Sequence, residues 1–206
     1  MKLGDVVLAA LAAALAASGC SASKSASARK PRACPKAWRA DWQRLANRVG
    51  APVYCPTWLP DPLDGKIAGG QWLDVDSVDP RDHSYLISFL YHESSTGDIH
   101  VNLRGYPRRT TIPKCANTEF VDGRARRSEI PCFADPHSRT RIGELEPTLY
   151  TVNQGADQWH ILYAWHRDGS LYTASQHVAA PLTYRQVTKD LKRVVAGLVL
   201  VRPKSS

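Results

Sequence analysis

The stretch from His160 to His177 leaves this chain little freedom in its local fold. Trp159, Ile161, Tyr163 and Trp165 alternate with His160, Leu162, Ala164 and His166, the two-residue period of a strand. Asp168-Gly169 follows, a dipeptide favoured where both central residues of a tight hairpin turn take positive φ. A two-residue turn there sets Trp165 opposite Tyr172 and His160 opposite His177, and directly paired residues point to the same side of a sheet. The aromatic face is predicted to be buried and the histidine face to be solvated. The chain is thereby committed to an antiparallel sheet.

The rest of the sequence supplies partners for that hairpin. Strands are expected at Gln71 to Val75, Ser84 to Tyr91, Ile99 to Arg104, Thr118 to Val121, Thr148 to Asn153 and Trp159 to His166. A helix is expected from Lys36 to Val49, with Trp38, Trp42, Leu45 and Val49 on one face and Gly50 and Pro52 as its stop. A second, from Tyr184 to Ala196, opens with a capping box of Thr183 and Gln186 and carries Val187, Leu191, Val194, Val195 and Leu198 as its apolar stripe. Between the first helix and the sheet, Pro52-Val-Tyr-Cys-Pro-Thr-Trp-Leu-Pro60 cannot be helical and is expected to run extended across the surface. The expected fold class is α+β, an antiparallel sheet flanked by two amphipathic helices and stapled by disulfides.

The amino end has a different character. A lysine, an alanine-rich apolar run from Val6 to Ala17 and then Ser18-Gly19-Cys20 are too short for a permanent membrane span and have the parts of a secretory signal. The segment resembles a bacterial lipoprotein signal, although Leu15 stands two residues early and Asp5 weakens the positive start. The resemblance implies cleavage before Cys20 and acylation of its thiol. The other reading is an ordinary cleaved signal with an incidental cysteine, and both export the chain. Ser21 to Arg32 is a polar, basic, low-complexity tract that reads as a tether. The expected organisation is a signal over 1–19, a lipidated tether over 20–33 and a single extracytoplasmic domain over 34–203, on the outer face of the cell membrane.

Export makes disulfides the default for the four remaining cysteines. Local geometry favours Cys34 with Cys55 and Cys115 with Cys132, out of three possible connectivities. A four-residue loop, Asp122 to Ala125, would place Cys115 and Cys132 directly opposite each other. Each bridge closes a loop of roughly twenty residues, for which chain entropy gives about 3 kcal/mol.

Pro56 to Pro60, together with Trp165, Asp168, Gly169, Tyr172 and the helix beginning after Thr183, resembles a pattern in actinobacterial-type lipoproteins and in extracytoplasmic domains of anti-sigma-factor proteins. The similarity covers about a third of the region after the tether, at its two ends. It implies a curved sheet used to hold lipids or to sense the state of the envelope.

Chemical motifs are scarce. The sequence has no H-E-x-x-H, no G-x-S-x-G and no phosphate loop, and Glu93, Asp98, Glu119, Glu129, Glu144 and Glu146 form no pair by spacing. No catalytic, cofactor or metal residue is assigned. His160 and His177 are a candidate pair for an ion or for acid sensing, against the simpler reading of solvated histidines. His100, Asn102 and Arg104 form a polar stripe that grips an anionic ligand or meets water. The net charge of +8 gathers in Lys24, Arg29, Lys30, Arg32, Lys36 and Arg39, and in a looser group of Arg104, Arg108, Arg109, Lys114, Arg124, Arg126 and Arg127. Export and the lack of a recognisable module argue against nucleic acid. The expected partners are the membrane, anionic lipid, an envelope polymer or an envelope protein, in a non-enzymatic binding or sensing role. An envelope hydrolase or transferase is the alternative.

Overall fold

The computed structural model describes residues 32–67, 75–93 and 97–204. The signal, Cys20 and most of the tether, with residues 71–74 of the first expected strand, lie outside the described residues.

Helix α1 spans Arg39–Val49, and Lys36 to Trp38 form a turn ahead of it. The turn arises because the carbonyl of Pro35 accepts from the amides of both Trp38 and Arg39, 3.0 Å each. Gly50 ends the helix in the left-handed region, φ 67°, returning its amide to Ala46. Helix α2 spans Tyr184–Ala196 and has the full reciprocal capping box of Thr183 and Gln186.

Strand β1 is Val53–Cys55, β2 Val75–Val78, β3 Tyr85–Glu93, β4 Gly97–Tyr106, β5 Lys114–Val121, β6 Arg124–Pro131, β7 Phe133–Arg139, β8 Thr148–Asn153, β9 His160–Arg167, β10 Ser170–His177 and β11 Val199–Val201. Seven of them make one antiparallel sheet in the order β2-β3-β4-β10-β9-β8-β7. The hairpin β9–β10 lies inside it, in the register read from Asp168-Gly169: Trp165 pairs with Tyr172 and His160 with His177. Trp159 departs from the expected alternation, because its φ of 63° turns it out of the strand and leaves its ring exposed.

Both helices pack on the aromatic face. Trp42, Leu45 and Val49 from α1 and Val187, Leu191, Val194 and Val195 from α2 join Ile87, Phe89, Leu103, Tyr163, Trp165 and Tyr172 in one core. Tyr54 meets the rings of Trp165 and Tyr172 edge-on, at 5.3 and 4.8 Å between centroids, geometry that suits aromatic quadrupoles. Leu198 lies past the end of α2 and is only partly buried.

The proline-rich passage is not a surface strap. Val53 to Pro56 are buried, β1 pairs with β11, Thr57 donates to the Gly197 carbonyl and the Arg193 guanidinium lies 3.9 Å over the Trp58 ring. Sequence reasoning missed β11, because a three-residue apolar run directly after a helix has no readable period. It also missed β7, which carries Pro136 and a register shift between Pro136 and Ser138. As the last strand of the sheet, β7 can spare the hydrogen bond that proline cannot donate.

The cysteines pair as expected, Cys34 with Cys55 and Cys115 with Cys132, at Cα separations of 5.7 and 4.8 Å. The hairpin between the second pair differs from the expected one. Its loop is two residues, Asp122-Gly123, so Cys115 pairs in register with Ile130. Cys132 sits at the bend between β6 and β7 and reaches Cys115 diagonally. Strands β5 and β6 pair only with each other.

Candidate functional site

The sheet face turned away from the helices is predicted to be the wet one, and the structure buries its centre. Leu162, Ala164 and Leu171 pack with Phe133 in a second apolar cluster. Beside it lies a row of polar groups set by register. Ser88 pairs with Asn102, and Asn102 with Ser175, across β3, β4 and β10. One step along, His177 pairs with His160, and His100 continues the same row on β4.

A carboxylate absent from every sequence-derived candidate set organises the inner row. The segment from β8 to β9 folds over the sheet through a single 3-10 turn, Gly155–Asp157, and delivers Asp157 onto it. Asn102 Nδ2 donates to Asp157 Oδ1 at 2.9 Å and Ser175 Oγ at 2.5 Å. Arg104 Nε stands 2.9 Å from Asp157 Oδ2, as an ion pair lacking the alignment of a hydrogen bond. The expected stripe of His100, Asn102 and Arg104 is therefore real, but two of its three members are engaged with this buried aspartate. Gly155, at φ 60°, allows the chain to turn here, but nothing in the local sequence says where the turn lands.

The outer row is a cluster of three imidazoles. Ring centroids are 4.8 Å apart for His100 and His160, 5.1 Å for His160 and His177, which stack, and 6.4 Å for His100 and His177. His160 is only 5% exposed, which corrects the solvated face expected for it, while His100 and His177 are partly exposed. His160 Nδ1 lies 2.8 Å from the carbonyl of Gln158. A carbonyl can only accept, so the Nδ1 proton is fixed, and Nε2 holds its lone pair in a buried position with no partner. Burial pushes the His160 pKa down to about 4; the Gln158 bond and the Asp157 charge oppose that shift, and His100 and His177 add to it. Ser88 Oγ lies 2.6 Å from His100 Nε2. Among the described residues no group of three or more histidine, cysteine, aspartate or glutamate side chains is arranged to hold a metal ion.

Further along, a groove of about 390 Å³ runs over Tyr150, Ala164 and Leu171, rimmed by Arg139, Glu144 and Arg167. Between the sheet and the helices the space is occupied by fully buried Trp42, Phe89 and Leu191.

Fold and site together define an antiparallel α+β protein with a polar, histidine-bearing seam on the sheet face opposite its helices. No family model, curated protein or solved structure matches the chain.

Proposed function

We propose that this chain is an exported protein held by an acylated Cys20 on the outer face of a bacterial cytoplasmic membrane, with a non-enzymatic binding or sensing role exercised through the histidine row. The observation that carries the reading is the cluster of His100, His160 and His177 beside a buried Asp157–Arg104 pair. Histidine is the side chain whose charge responds near neutral pH. Among the described residues the titratable groups that act on His160 are Asp157 from the 3-10 turn, His100 from β4 and His177 from β10. Protonation of His160, at about pH 4, adds positive charge to a seam that holds the Arg104 guanidinium and, among the described residues, one carboxylate, which is engaged. An anionic ligand is then favoured when His160 is charged and released when it is neutral.

NMR titration of the full chain with inorganic phosphate at about pH 3.5 and about pH 7.5, either side of the His160 pKa, tests this. The expected result is saturable shifts of the His100, His160 and His177 ring resonances at the lower pH only. Binding independent of pH, or shifts confined to other histidines, removes the reading. The anchor is tested separately: Cys20→Ala is expected to abolish lipid labelling and to release the protein from membranes or leave it as an uncleaved precursor.

One observation favours a second reading, an envelope hydrolase. Ser88 Oγ and His100 Nε2 are spaced as a nucleophile and its base. Against it, Ser88 is 5% exposed. A fluorophosphonate probe that labels Ser88, and loses that label in His100→Ala, establishes the hydrolase; absence of label leaves the binding role.

A further inference from the structure

The β5–β6 ribbon is out of keeping with the rest of the molecule. A two-stranded hairpin in water is marginal without a third strand or a covering layer, yet these strands pair only with each other and nearly all of their residues are exposed on both faces. The ribbon is nevertheless built to be held out. Cys115–Cys132 closes its base, and Cys132 is tied on both sides, its amide to the carbonyl of Pro113 and its carbonyl to the amide of Gln154, at 2.8 Å each. Eight residues per strand extend about 26 Å at the usual strand rise.

Apolar bulk collects at the far end. Phe120 is 77% and Val121 40% exposed, immediately before the Asp122-Gly123 turn. Arg124, Arg126 and Arg127 follow the turn. Of the three carboxylates, Glu119 sits opposite Arg126 and Glu129 lies 3.8 Å from Lys114, leaving Asp122 in the turn itself. Among the described residues Arg124 and Arg127 have no acidic partner. Register places Arg127 on the face of Phe120, opposite Thr118, and Arg124 on the face of Val121. Each apolar tip residue therefore has an unpaired guanidinium on its own side.

We propose that the tip of this ribbon is a contact for an anionic bilayer surface, with Phe120 and Val121 entering the boundary between headgroups and acyl chains and Arg124 and Arg127 engaging lipid phosphates. Apolar side chains flanked by basic ones partition to that boundary, and guanidinium matches phosphate oxygens in pairs. Two tip residues are far short of the roughly 800 Å² per partner of a stable protein interface, whereas a bilayer needs only a point of entry. The inference rests on the membrane-side location proposed above and adds the lipid class and the residues that meet it.

Hydrogen exchange on the full chain, reconstituted with phosphatidylcholine vesicles with and without phosphatidylglycerol, tests it. Amides 118–127 are expected to exchange about tenfold more slowly with the anionic vesicles, in line with the energies of a few interfacial basic and apolar groups. Phe120→Ser is expected to abolish that protection, and the paired change Arg124→Ala with Arg127→Ala to abolish its dependence on phosphatidylglycerol, both with unchanged melting. Equal exchange on the two kinds of vesicle overturns the proposal. So does equal protection by soluble polyglutamate that survives Phe120→Ser, which assigns the ribbon to an anionic polymer. Flotation with phosphatidylcholine vesicles reports the Cys20 anchor independently. A chain that fails to float there but shows tip protection with phosphatidylglycerol loses the anchor and keeps the ribbon contact.

Discussion

The chain contains the same turn twice, with opposite outcomes. Asp122-Gly123 joins β5 to β6 and Asp168-Gly169 joins β9 to β10; both are two-residue loops, with φ of 53° and 73° in the first and 50° and 71° in the second. The closing hairpin is central to the seven-stranded sheet and buried on both faces, while the other stands exposed on both. Turn chemistry decides that a hairpin forms and in which register. Whether it becomes core depends on the side chains. Ile161, Tyr163, Trp165 and Tyr172 on one face and Leu162, Ala164 and Leu171 on the other can cover both sides, whereas Arg124, Arg126 and Arg127 with Glu119 and Glu129 cannot be taken out of water as a group.

The contrast is open to direct attack, and the largest effect is expected in the closing hairpin. Trp165→Ala removes a buried ring stacked at 6.1 Å from Tyr172 and is expected to cost about 3–5 kcal/mol in chemical denaturation; a loss below about 1 kcal/mol would mean that the aromatic face is not core. Asp157→Ala follows closely. It strands the Arg104 guanidinium in a largely buried position, and a loss of about 3–5 kcal/mol is expected from leaving one partner of a buried pair uncompensated.

Acid gives the next effect. The folded pKa of His160, about 4, lies below its ordinary 6.5, so between those values the unfolded chain binds more protons than the folded one. The stability is fully present above about pH 6.5, falls as pH drops toward about 4 and loses no more from this group below that. The whole effect is at most about 3 kcal/mol. His160→Gln is expected to flatten that segment of the stability–pH curve, and His177→Gln to flatten it less. An unaltered curve in His160→Gln would show that another group carries the acid response. The smallest effect belongs to the ribbon: Phe120→Ala is expected to change global stability by no more than about 0.5 kcal/mol, and a larger change would reveal a packing partner for the tip.

Much of the scaffold was legible in the residues. The capping box at Thr183, the glycine stop at Gly50, the pairing of Trp165 with Tyr172 and both cysteine pairs all depend on neighbours within a few turns of chain or on a tight loop. The site was half legible. The facing of His160 and His177 follows from Asp168-Gly169, but the environment of His160 was misread as solvent, because alternation says which side chains share a face and not what lies over that face. Asp157 was invisible for the same reason, since its partners Asn102, Arg104 and Ser175 come from β4 and β10.

What the sequence by itself determined, then, is local: the glycine stop of the first helix, the capping box of the second, strand period and the register across Asp168-Gly169, all governed by backbone sterics and short-range hydrogen bonding. The tertiary structure alone decided that the proline-rich passage is buried, through the pairing of Val53–Cys55 with Val199–Val201. It alone brought a turn after β8 onto β4 and turned three histidines and an aspartate into one seam. Those contacts join segments that lie far apart along the chain, and the cost of closing such loops is met by the whole core at once, so no single stretch of residues carries their signature.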